Sequence, residues 1–321
     1  MFGHRILRSI LTLAAIQLAV GNILASPQYN TLLRLVPAGC EVVAGIEDPG
    51  NRSARGRILV NSRDSLLDFA DISALAGSNA MSGITEVVQV ATSSSAGPLR
   101  EHLLLASGHF DQARIFQSAL THGATRRDYN GVAILIVWPL ARESKQMTDV
   151  RWMAVLDGTT VVFGTPTLLQ LALNRYSTHT QVDANLLRRL AQLSSKDNSW
   201  AVVSMPVPGL TTYLAPQAVS ESLAGVLDHS NMLSIGARFG NPVKIDFILN
   251  TLSVEDALAV RNALDIPRFI RAGTEVSLQP YLRRVRVDGN QVQGTVEAPS
   301  KNLDVYLEAL VNQRLGTETI Q

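Results

Sequence analysis

Two Asp-Gly dipeptides, Asp157-Gly158 and Asp288-Gly289, each stand between short runs rich in β-branched and aromatic residues. Asp-Gly between two such runs is a tight-turn signal, and it commits both flanks to antiparallel hairpins. The flanks are Trp152 to Leu156 with Thr160 to Phe163, and Leu282 to Val287 with Gln291 to Glu297. A third hairpin is expected around Gly240-Asn241-Pro242, between Met232 to Phe239 and Val243 to Asn250. Further strands are expected at Glu41 to Glu47, Ile84 to Ala91, His102 to Ala106, Val132 to Trp138 and Ser199 to Met205.

Helical spacing of apolar residues marks Ser65 to Ala76, Phe110 to His122, Leu186 to Leu193, Gln217 to Leu227 and Ser253 to Leu264. Thr165 with Pro166 starts another helix, as cap and first-turn residue. Ser253 and Asp256 form an acidic version of the capping box, and Pro299 opens a last helix. Shifted by about 144 positions, Leu103-Leu104-Leu105 falls on Phe247-Ile248-Leu249 and Ala119-Leu120 on Ala263-Leu264. The expected fold class is therefore α+β: two similar β-α-β-β-α-β-β-α units, with antiparallel or mixed sheets covered by helices. The expected division is a first unit over 26–180, a linker helix region over 181–198 and a second unit over 199–321.

Ahead of these units, residues 1–25 carry Arg5 and Arg8, no acid, and an apolar run from Ser9 to Ala25 before Ser26-Pro27. A basic start, an apolar centre and a small residue at the end predict an export signal, cleaved after Ala25. The protein is then periplasmic or secreted. Uncleaved, the same run is near the ~20-residue minimum for a membrane span and leaves a single N-terminal anchor. Membrane contact is expected only through 1–25, because charges or turn residues break every later apolar run.

Hydrophobic residues make up 46% of the 321-residue chain and charged residues 17%, enough apolar surface to bury a core. Removing Arg5 and Arg8 leaves 26 basic against 27 acidic residues. That balance gives no electrostatic ground for nucleic-acid binding. The one cysteine, Cys40, excludes an intramolecular disulfide. Ala38-Gly39-Cys40 has small residues where a lipoprotein signal has them, but Pro37 and the distance from the apolar run argue for a buried free thiol instead.

No phosphate-binding glycine loop, nucleophile elbow or paired-histidine metal motif occurs. His102 and His109 are seven apart, across a strand end and a helix start; His109 is read as a loop or cap residue, and His179 and His229 as loop residues. No catalytic, cofactor or metal residue is expected. Arg283, Arg284 and Arg286 form the densest basic cluster. Strand alternation puts Arg284 and Arg286 on one face and Arg283 with Val285 and Val287 on the other. A solvated strand face is the plain reading, and docking of an acidic partner the functional one. The sequence thus points to an exported, non-enzymatic protein that binds a protein or envelope component. The alternative is an extracytoplasmic hydrolase whose site is assembled from dispersed residues.

Overall fold

A computed structural model describes residues 31–47, 84–94, 97–137, 150–194, 196–204, 230–265 and 282–299. The expected helices at 65–76 and 217–227, the expected last helix after Pro299 and the segment 1–25 lie outside the described residues.

Twelve strands join in one sheet: β1 (Val42–Glu47), β2 (Ile84–Ser94), β3 (Gly97–Gly108), β4 (Thr125–Tyr129), β5 (Val132–Val137), β6 (Arg151–Leu156), β7 (Thr160–Gly164), β8 (Ser199–Ser204), β9 (Ser230–Arg238), β10 (Val243–Thr251), β11 (Leu282–Asp288) and β12 (Gln291–Ala298). Their order is β11-β12-β10-β9-β8-β1-β2-β3-β7-β6-β5-β4. Every neighbouring pair is antiparallel. The described helices are α1 (Gln112–Thr121), α2 (Pro166–Ser177), α3 (Ala184–Leu190), α4 (Val254–Asp265) and a 3-10 turn at Thr31–Leu35.

This overturns the expected fold class. The chain forms one sheet-dominated layer, not two similar β-α-β-β-α-β-β-α units with sheets of their own. β1 pairs with β2 on one side and β8 on the other, so the two stretches of chain run into each other through backbone hydrogen bonds. Outward from that seam, one arm has seven strands and the other five. The reason for the error is physical. Hairpin turns determine which strands are sequence neighbours, while the β1–β8 pairing is between strands roughly 150 residues apart that no local pattern relates.

The arms also differ in their layers. In the β2–β7 arm both sheet faces are apolar. Leu103 and Leu105 join Val88, Ile134, Ala154 and Val162 beneath the 3-10 turn, α2 and α3. Leu104 and Ala106 point the other way and join Leu135, Met153, Val155 and Phe163 beneath Ile115, Phe116 and Ala119 of α1. The unbroken run Leu103 to Ala106 thus reads as a strand covered on both sides. In the other arm one face is apolar, with Leu233, Ile235, Ile245, Phe247, Leu249, Val292 and Val296 buried. α4 packs against β10, β11 and β12 with Ala257 and Val260 buried. On the opposite face the same strands carry Ser234, Lys244, Asp246, Asn250, Gln291, Gln293, Thr295 and Glu297, by register with one another.

Local signals account for the turns. Asp157 and Gly158 both have positive φ, 48° and 71°. The Asp157 carboxylate accepts the Thr159 N–H at 3.2 Å. At the second dipeptide the loop is Gly289-Asn290, because Asp288 still pairs with Gln291. Asn130-Gly131 closes the β4–β5 hairpin with φ of 52° and 79°, the geometry of a type I′ turn. Ser253 and Asp256 make the expected cap: the Asp256 N–H donates to Ser253 Oγ at 3.0 Å and Ser253 Oγ donates to Asp256 at 2.8 Å. Thr165 departs from expectation. Its side chain makes no bond to the helix it precedes and donates instead to the His102 carbonyl at 3.3 Å, tying α2 to β3.

The seam depends on one close approach. Trp200 of β8 is 2% exposed and lies across Gly45 of β1, where a β-carbon would occupy the space of the indole ring. A G45A substitution is expected to destabilise the protein by about 2 kcal/mol or more, because neither the indole nor the paired backbone can withdraw. Urea unfolding followed by circular dichroism measures it, and an unchanged midpoint would contradict the packing described.

Candidate functional site

β11 is an edge strand, paired only with β12 among the described residues. Its ladder carries a bulge. Arg283 pairs with Thr295 and Arg286 with Gln293, so three steps on β11 match two on β12. The alternation expected for the arginines is therefore wrong: residues 283 and 286 oppose positions that share one face of β12, and Arg284 lies within the bulge. Arg284 is exposed and has φ of 55°, a conformation costing roughly 1–2 kcal/mol for a residue with a β-carbon. Arg286 is exposed but held, its Nε and Nη2 donating to Gln293 Oε1 at 3.1 and 2.7 Å. Behind it, Thr295 donates to Asp246, and Lys244 stands 3.8 Å from Glu297. The edge thus presents guanidinium groups at its rim over a polar sheet face.

The opposite edge, β4, is also basic. Arg126 and Arg127 are exposed on it, and the Arg126 guanidinium lies 5.6 Å from the centre of the Phe116 ring. Both residues lie within the strand itself. Arginines on both edges, and a bulge on one, discourage edge-to-edge pairing between copies of the sheet. That edge protection is a sufficient structural role, against which a binding role for Arg284 and Arg286 has to be tested.

A second polar group escaped the sequence reading. The turn between α3 and β8 folds over β9, and Asp197 is 2% exposed there. Its Oδ2 accepts the Ser194 N–H at 3.1 Å, and its Oδ1 lies 3.6 Å from Arg238 Nη2. Arg238 also donates to Ser194 Oγ at 2.9 Å and to the Lys196 carbonyl at 3.1 Å. Burial, reinforced by the neighbouring Asp246, pushes the Asp197 carboxyl up to about 6, against the opposing pull of Arg238, the Ser194 N–H and Lys244. In sequence the segment Ser194 to Asn198 is uniformly polar and reads as a solvated loop. No residue in it signals burial.

Among the described residues the histidines are not grouped with other metal-ligating side chains. His102 lies within β3, His109 is exposed after that strand, and His179 is exposed after α2 with φ of 48°. His102 thus falls in the strand expected over His102 to Ala106. Among the described residues no three His, Cys, Asp or Glu side chains are grouped as metal ligands, and no helix is long and apolar enough to cross a membrane.

Cys40 packs against the core beneath α2. Burial chiefly, and then the Glu41 carboxylate, push its thiol up to about 12, with Arg175 opposing. Only the thiolate reacts with alkylating agents. At pH 8 the native protein is therefore expected to react roughly a thousandfold more slowly than the unfolded chain, whose thiol has an ordinary pKa near 8.5. Iodoacetamide labelling in buffer and in guanidinium, read by intact mass, checks this. Equal rates would place Cys40 at the surface.

No protein-family model and no curated protein matches the chain. Among solved structures it is similar to TP0453 in crystal form I, with a TM-score of 0.49 at 13% identity over 88% of this chain and 98% of that one. TP0453 in crystal form III gives 0.49 at 14% identity, over 87% and 97%.

Proposed function

We propose that this is an exported, non-enzymatic protein that binds an acidic protein or envelope component through the side chains of β11. The observation that carries the reading is Arg284, a residue with a β-carbon held at positive φ in a bulge on an edge strand. Such outliers persist only where surrounding structure enforces them, and a bulge re-aims the side chain it carries. Arg286 beside it has its guanidinium oriented by Gln293, which reduces the entropy lost when a carboxylate or phosphate is engaged. The bulge interrupts the regular ladder, so recognition is assigned to the arginine side chains and not to addition of a further strand. Export rests on the basic and apolar pattern of 1–25, with the folded part released after Ala25.

Two measurements test the reading. Immobilised wild-type protein is expected to retain a partner from its native envelope fraction, in a manner weakened by salt. An R284E/R286E variant with unchanged circular dichroism is expected to retain at least about tenfold less. Equal retention by both would remove the arginines from binding. A reporter enzyme active only outside the cytoplasm, fused after Gln321, is expected to be active, and the intact mass of the purified protein is expected to begin at Ser26. Activity of a cytoplasm-only reporter at the same point would refute export.

A further inference from the structure

We infer that the turn joining α3 to β8 is a pH-operated latch, closed on β9 while the Asp197 carboxyl is neutral and loosened once it ionises. The inference is independent of the arginine edge and rests on how that carboxyl is housed. Its side chain is 1% exposed and lies against Gly236 of β9, where a β-carbon would fill the same space. One oxygen accepts the Ser194 N–H, and the other, Oδ1, has no hydrogen-bond partner.

The charges facing it come from two strands. β9 supplies Arg238, the nearest cation, already donating to Ser194 Oγ and the Lys196 carbonyl. β10 supplies Asp246, opposite Gly236 in the register, and Lys244, which also stands 3.8 Å from Glu297 of β12. Ionisation thus places a second negative charge beside Asp246 on a side chain shielded from water, with the shared Arg238 guanidinium and Lys244 to oppose it. Opening the turn rehydrates the carboxylate. It also releases the Asn198 N–H from the Ala237 carbonyl and the Phe239 N–H from Asn198 Oδ1, the bonds that fasten the start of β8 to the end of β9.

The sign follows from linkage. The folded carboxyl titrates near 6, above the ordinary value of 3.8. The closed turn is therefore most stable below about pH 4 and loses stability as pH rises through about 6, levelling off above it. A shift of that size corresponds to an opening equilibrium that changes by up to about a hundredfold.

Amide hydrogen exchange on the full-length protein between about pH 4.5 and 7.5, corrected for the intrinsic exchange rate, tests the latch. Protection of the Asn198 amide is expected to fall by at least about tenfold across that range. The Thr159 amide in the β6–β7 turn is expected to show no such step. D197N is expected to abolish the step. D246N, which leaves the latch residue in place, is expected to move its midpoint to higher proton activity, that is, to lower pH. A pH-independent wild type, a step that survives in D197N, or an unmoved midpoint in D246N overturns the inference.

Discussion

The β1–β8 pairing is the contact on which the remaining architecture depends. Both strands are apolar along most of their length, with Val43, Ile46, Trp200, Ala201, Val202 and Val203 buried. Separated, each would be a hydrophobic sheet edge with unpaired backbone groups, the arrangement that drives aggregation. Each backbone group left buried and unpaired there costs roughly 1–3 kcal/mol. Joined, they remove two edges at once and leave β4 and β11 as the rims among the described strands. Gly45 makes the join possible, since its missing side chain is the space the Trp200 indole fills.

With the seam in place, the unequal treatment of the two arms follows from composition along the strands. β3, β5, β6 and β7 carry apolar residues at consecutive positions and need cover on both faces, which α1 supplies on one side and the 3-10 turn, α2 and α3 on the other. β12 alternates strictly, Val292, Val296 and Ala298 inward against Gln291, Gln293, Thr295 and Glu297 outward, and β10 alternates from Val243 to Phe247. Alternation of this kind permits a polar face beside a core face. It is on this polar side that the Asp197–Arg238 turn lies, continuous by register with Asp246, Thr295 and the arginine rim.

Much of the element inventory was legible because it is local. Asp157-Gly158, Gly240-Asn241-Pro242 and the Ser253–Asp256 cap operate over a few residues, and each is found where the residues require it. β4 was missed because Thr125-Arg126-Arg127-Asp128-Tyr129 is a polar edge strand with no buried alternation, although Asn130-Gly131 after it is a strong hairpin signal. The arginine cluster was visible on β11, but its facing was not. Ideal alternation holds only in an unbroken ladder, and the bulge between Arg283 and Arg286 shifts the register by one.

The sequence by itself determined the turns, the caps, the apolar strand runs, the lone thiol and the basic cluster, since each is decided by neighbours in the chain and by the conformations that Gly, Asn, Asp and Pro permit. Tertiary structure decided the rest. It merged the strands into one sheet, put arginines on both rims, and turned a polar loop residue, Asp197, into a buried carboxyl. These outcomes depend on which surfaces distant segments present to one another, and neither backbone pairing nor burial between segments far apart in the chain leaves a periodic trace in it.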